Sequence, residues 1–107
     1  MKQLGFGCMR LPIMNDEFSN VDKPAVSEMF DYFIQNGFSY VDTAWFYHNE
    51  NSEQAIKECL VDRYPRDRFQ LADKMPVVLL KNEAELPIYF NKQLEKCGVS
   101  FLMPVLY

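Results

Sequence analysis

Three residues stand where one site could use a carboxylate, a phenol and an amine together. Residues 40–53 read Tyr-Val-Asp-Thr-Ala-Trp-Phe-Tyr-His-Asn-Glu-Asn-Ser-Glu, and further on Lys74 ends a Leu-Ala-Asp-Lys stretch. Asp42 and Lys74 each close an apolar run, and Tyr47 lies on the connection leaving the first. Carbonyl reduction by a nicotinamide needs a proton donor at the substrate oxygen while hydride reaches carbon. A phenol can donate if its pKa, ordinarily about 10, is lowered by a neighbouring ammonium. A carboxylate beside that ammonium keeps it charged and reduces the cost of burying it. Taken singly, each residue has a plainer role. Asp42 before Thr43 can be a turn or cap residue. Tyr47 can pack with Trp45 and Phe46, and Lys74 can be solvated. Spacing, not residue type, carries the joint reading.

The runs around these residues alternate in period. Leu4 to Leu11 reads as a first buried strand punctuated by glycine, and Asn15 to Asp22 as a mobile polar loop. Val26, Met29, Phe30, Phe33 and Ile34 form one helical stripe, which Gly37 ends. Phe38 to Thr43 is a second strand. Asn51 to Gln54 resembles a capping box opening a helix that buries Ala55, Ile56, Cys59 and Leu60 and stops at Pro65. Phe69 to Ala72 is the core of a third strand, and Val77 to Asn82 a mobile segment. A helix over about Leu86 to Cys97 follows, with Gly98 as its stop and Leu86, Phe90, Leu94 and Cys97 on one face. Ser100 to Tyr107 is a fourth strand. Such alternation predicts an α/β fold of parallel strands joined by right-handed crossovers, in one domain or part of one. Neighbouring parallel strands that curve into a barrel bring their C-terminal ends to one face, where Asp42, Lys74 and Tyr47 could meet.

Composition narrows the partners. The chain has 107 residues, 49% hydrophobic and 24% charged, with a net charge of −4 and an isoelectric point near 4.9. That is the makeup of a soluble globular protein with no basic field for nucleic acid. No apolar run approaches the roughly 20 residues of a membrane span, and the N-terminus lacks a secretory core, so a cytoplasmic location is expected. Three scattered cysteines, Cys8, Cys59 and Cys97, point to reduced buried thiols. A single histidine, His48, leaves no zinc site of ordinary composition, and no metal is expected. His48 itself is expected in a solvated loop, and Glu50 and Glu53 as carboxylates favoured by a helix dipole. Gly5-Phe6-Gly7 lacks the third glycine and the following helix of a Rossmann fingerprint.

Gly-Phe-Gly-Cys-Met-Arg-Leu-Pro, Tyr-Val-Asp-Thr-Ala with Tyr47 five positions after Asp42, Ser52-Glu53, and Phe-Gln-Leu-Ala-Asp-Lys-Met-Pro together resemble the N-terminal part of the aldo-keto reductases, from about Leu4 to Val99. The resemblance implies parallel βα units of a TIM-type (β/α)₈ barrel, truncated to about four strands and three helices. It also implies reduction of aldehydes or ketones, small-molecule carbonyl substrates, with NADPH or NADH. Asp42, Tyr47 and Lys74 match three of the family's four catalytic positions, tyrosine being the proton donor that lysine and aspartate tune. Gly7, Cys8, Met9 and Asp42 fall where the cofactor would approach. The family's fourth catalytic residue, a histidine just beyond the fourth strand, has no counterpart here. A full barrel takes about 250 residues, so this reading expects less than half of one, with unpaired sheet edges that favour self-association. Loss of resemblance near Ser100, with Pro104 inside the fourth strand, is read as a frameshift or premature stop. The alternative function is an inactive fragment, or a stand-alone α/β module that acts only by association with another chain.

Overall fold

A computed structural model describes residues 4–106, with side chains through residue 102. In chain order the elements are β1 (Gly5–Gly7), β2 (Ile13–Met14), β3 (Glu17–Val21), α1 (Lys23–Gln35), β4 (Tyr40–Ala44), α2 (Tyr47–Glu50), α3 (Ser52–Ile56), β5 (Gln70–Met75), α4 (Leu86–Cys97) and β6 (Met103–Leu106), with short 3₁₀ turns between some of them. The main sheet is wholly parallel, in the order β1-β4-β5-β6. Strand and helix alternate as the hydrophobic periods predict. Among the described residues, no helix is long and apolar enough to cross a membrane.

Helix α1 starts where Asp22 accepts a hydrogen bond from the Ala25 amide and Pro24 occupies the first turn, a position where a missing N–H costs nothing. Its stripe of Val26, Phe30, Phe33 and Ile34 is buried against the sheet, and the Phe6 and Phe30 rings lie 4.6 Å apart. Met29, expected on that stripe, is 42% exposed. It lies on the flank of α1 beside β1, where no further element covers it among the described residues. Helix α3 widens into a π-helical turn over Lys57–Val61 and buries Ala55, Ile56, Cys59 and Leu60, as the spacing predicts. Helix α4 runs over the expected range and ends at Gly98, whose φ of 71° is the left-handed cap.

Two local expectations give way. The polar stretch after Leu11 is a β-hairpin, β2 with β3, turned at Asn15 and Asp16 with φ of 58° and 55°. Two successive positive φ values suit a two-residue hairpin, and Asn and Asp tolerate them better than most residues. Asn51 does not cap α3 through its side chain. Its amide instead donates back to the carbonyls of His48 and Asn49. The expected fourth strand forms as β6, an edge strand among the described residues, where Pro104 lies opposite Asp73 in a regular register.

Candidate active site

The register of β4 on β5 sets Asp42 opposite Ala72 and Ala44 opposite Lys74. Side chains alternate along a strand, so Asp42 and Lys74 leave the same face of the sheet, close to the C-terminal ends of both strands. The opposite face carries Thr43, which bonds Ser52 of α3 at 2.8 Å, and Asp73, which meets Cys97 of α4. Asp42 and Lys74 therefore lie on the face turned away from the helices.

Tyr47 reaches that face from the turn after β4. Lys74 Nζ donates a hydrogen bond to the Tyr47 hydroxyl oxygen and lies 4.9 Å from the ring centroid. The backbone of Lys74 is held twice, its carbonyl accepting from Trp45 N–H at 3.3 Å and from Gln93 Nε2 at 2.9 Å. A cleft of about 260 Å³ opens beside the pair, lined by Ala44, Phe46, Tyr47, Lys74, Met75 and Val78 among others. Phe46 and Val78 were not singled out by sequence reasoning. Their only sequence signal was adjacency to Tyr47 and to Pro76.

His48 is not a solvated loop residue. It is fully buried, stacked on Phe18 with ring centroids 4.3 Å apart. The Leu11 amide donates to Nε2 at 2.8 Å, so Nε2 carries the lone pair, and Nδ1–H donates to the Phe18 carbonyl at 2.7 Å. Both bonds reach residues on or before the unforeseen hairpin, which is why the ring could not be placed from sequence. Around it the backbone is left-handed at His48, Asn49 and Glu50, with φ of 54°, 53° and 69°.

Glu53 stands in the first turn of α3, where the dipole argument puts it, but that argument did not foresee its burial. It is fully buried on the inner face of α3, 3.4 Å from Lys96 Nζ and clustered with Asp73 and Cys97. Burial, then hydrogen bonding to Glu53 and the charge of Glu53, push the Asp73 carboxyl far above its ordinary range. A protonated Asp73 can donate to Glu53 while accepting from the Cys97 thiol, and Lys96 balances the remaining charge. Burial and the two acids likewise hold the Cys97 thiol protonated.

Among the residues expected near a cofactor, Gly7 has open space where a Cβ would project, and Met9 is 45% exposed. The Cys8 side chain is fully buried and its thiol pushed up by burial, so only its backbone could face a ligand. The Cys8 amide donates to the Asp42 carbonyl at 3.0 Å, which places these residues beside Asp42 at one end of the sheet.

A sequence model of the Aldo/keto reductase family matches residues 3–102. Over 58 residues the chain is 34% identical to the aldo-keto reductase ausK of Emericella nidulans, which covers 54% of this chain and 15% of that protein. Among solved structures, an aldo-keto reductase from Klebsiella pneumoniae in complex with NADPH superposes with a TM-score of 0.71 at 19% identity, covering 92% of this chain and 32% of that one. An aldo/keto reductase from Brucella melitensis superposes with a TM-score of 0.62 at 27% identity, covering 94% and 34%. The fold is thus that of a TIM-type barrel segment, and the chain spans about a third of the solved relatives' length.

Proposed function

Because the chain belongs to the aldo/keto reductase family, we propose that it carries the proton-donating half of an NAD(P)H-dependent carbonyl reductase, with Tyr47 as donor. The observation that carries this reading is the hydrogen bond from Lys74 Nζ to the Tyr47 hydroxyl at the open end of β4 and β5. Tyr47 Oη gives its proton to the oxygen of an aldehyde or ketone in the adjoining cleft. Lys74 Nζ, already hydrogen-bonded to Tyr47 Oη, stabilises the phenolate left behind, and Asp42 on the same face favours the charged ammonium. When bound, the nicotinamide supplies the hydride. Gly7 fits such a group because its backbone is open to close approach. With Met9, the backbone of Cys8 and Asp42, it would hold the cofactor. The cleft volume falls below the roughly 300–1,000 Å³ of drug-sized pockets, so it suits the reacting end of a small substrate.

Fluorescence of Trp45, the sole tryptophan, offers the test. Saturable quenching by NADPH with turnover of a generic aldehyde supports the proposal, and absence of both removes it. A second reading, a module acting by association with another chain, draws on the apolar groove beside β1 lined by Leu4, Phe6, Met29 and Tyr32. Concentration-dependent self-association without NADPH binding would favour that reading instead.

A further inference from the structure

We infer that His48 is the positioning residue that holds the proposed donor Tyr47 against Lys74, by clamping the left-handed turn to the hairpin. The inference rests on the reading of Tyr47 as the working residue. Three consecutive non-glycine residues with positive φ follow Tyr47. Such a run is disfavoured for L-residues and persists only where surrounding contacts impose it. His48 supplies those contacts. Its Nε2 accepts from the Leu11 amide beyond β1, its Nδ1–H donates to the Phe18 carbonyl in β3, and its face stacks on the Phe18 ring. Asn51 adds two bonds from its side-chain amide to the carbonyls of His48 and Asn49, closing the turn from the other side. A ring with one donor and one acceptor on opposite edges can bridge two backbone segments at once. An aliphatic side chain of similar volume would bury as well and bridge neither. Tyr47 is the next residue in the chain, so the direction in which its ring leaves the backbone is set by where His48 is anchored.

The full chain provides the test, because it contains only one histidine and its ring nitrogens are assigned without ambiguity. Nitrogen-15 NMR of histidine-labelled protein should show Nδ1 protonated and Nε2 bare. His48→Ala should then abolish the nuclear Overhauser effect between the Tyr47 ring and the Lys74 ε-methylene, and His48→Gln, which can still accept from Leu11, should retain part of it. Cys59→Ala, a core change in α3's π-helical turn, serves as the control and should lower thermal stability with that effect intact. Protonation on Nε2 in the wild type, which needs no variant to fold, overturns the proposal. So does a Tyr47–Lys74 contact that survives His48→Ala, or one that Cys59→Ala also abolishes. The contact is read without substrate. An intact His48 clamp in a protein that turns over no aldehyde would therefore count against the reductase reading alone.

Discussion

At the residue scale, general acid catalysis is worth roughly 10²–10⁴-fold, and that sets the expectation for Tyr47. Lys74→Met should depress turnover in steady-state assays more than it weakens NADPH binding, whereas Asp42→Asn, at a residue that would also hold the cofactor, should lower turnover less than Lys74→Met and weaken NADPH binding as well. Equal losses in turnover and cofactor affinity for Lys74→Met would assign the lysine to binding instead. Glu50 offers a second test, on stability. Its φ of 69° is costly for a side chain with a Cβ, so Glu50→Gly should raise the stability measured by urea unfolding by up to about 1 kcal/mol, offset in part by the freer unfolded chain. Asp42, Tyr47 and Lys74 were legible in the sequence because each ends or follows an apolar run at fixed spacing. His48 and Glu53 were not. Each is buried by partners distant in sequence, which neither the loop reading of His48 nor the helix-entry reading of Glu53 contains.

At the scale of elements, the layer between the sheet and its helices holds the acid pair Glu53 and Asp73. With its pKa raised by burial and by Glu53, folded Asp73 keeps a proton that the unfolded chain releases above the ordinary carboxyl range. Its contribution to stability is present in full below that range and is lost as pH climbs toward the raised value. Thermal melts should therefore show stability falling with rising pH on the alkaline side of about 4. Asp73→Asn, which stays neutral, should flatten that slope. A slope unchanged by Asp73→Asn would place the proton elsewhere. The helices and parallel strands were readable from period, since α1, α3 and α4 each carry one apolar stripe and β4 and β5 each carry an apolar run. The β2–β3 hairpin was missed because its turn is Asn15-Asp16 between short, half-exposed strands, with little hydrophobic alternation to mark them.

At the scale of the whole molecule, the sheet presents β1 and β6 as its edges among the described residues, and a groove of about 500 Å³ runs beside β1 past Leu4, Phe6, Met29, Tyr32, Phe33 and Phe38. Exposed strand edges and contiguous apolar surface drive association in water. Sedimentation should show self-association that Met29→Lys weakens, and a monodisperse wild-type monomer would contradict this. The barrel class was legible because βα alternation fixes parallel pairing and a common end for the strand termini. Which surfaces stay open depends on elements other than those whose periods were read, so Met29 was assigned to the core. The function proposed depends on the contact between Tyr47 and Lys74, and one comparison tests it most directly: NADPH-dependent turnover of a generic aldehyde by wild type and Tyr47→Phe, with Trp45 quenching followed in the same samples. The account expects turnover to fall by about 10²–10⁴-fold while quenching is unchanged. Equal turnover in the two proteins would contradict it.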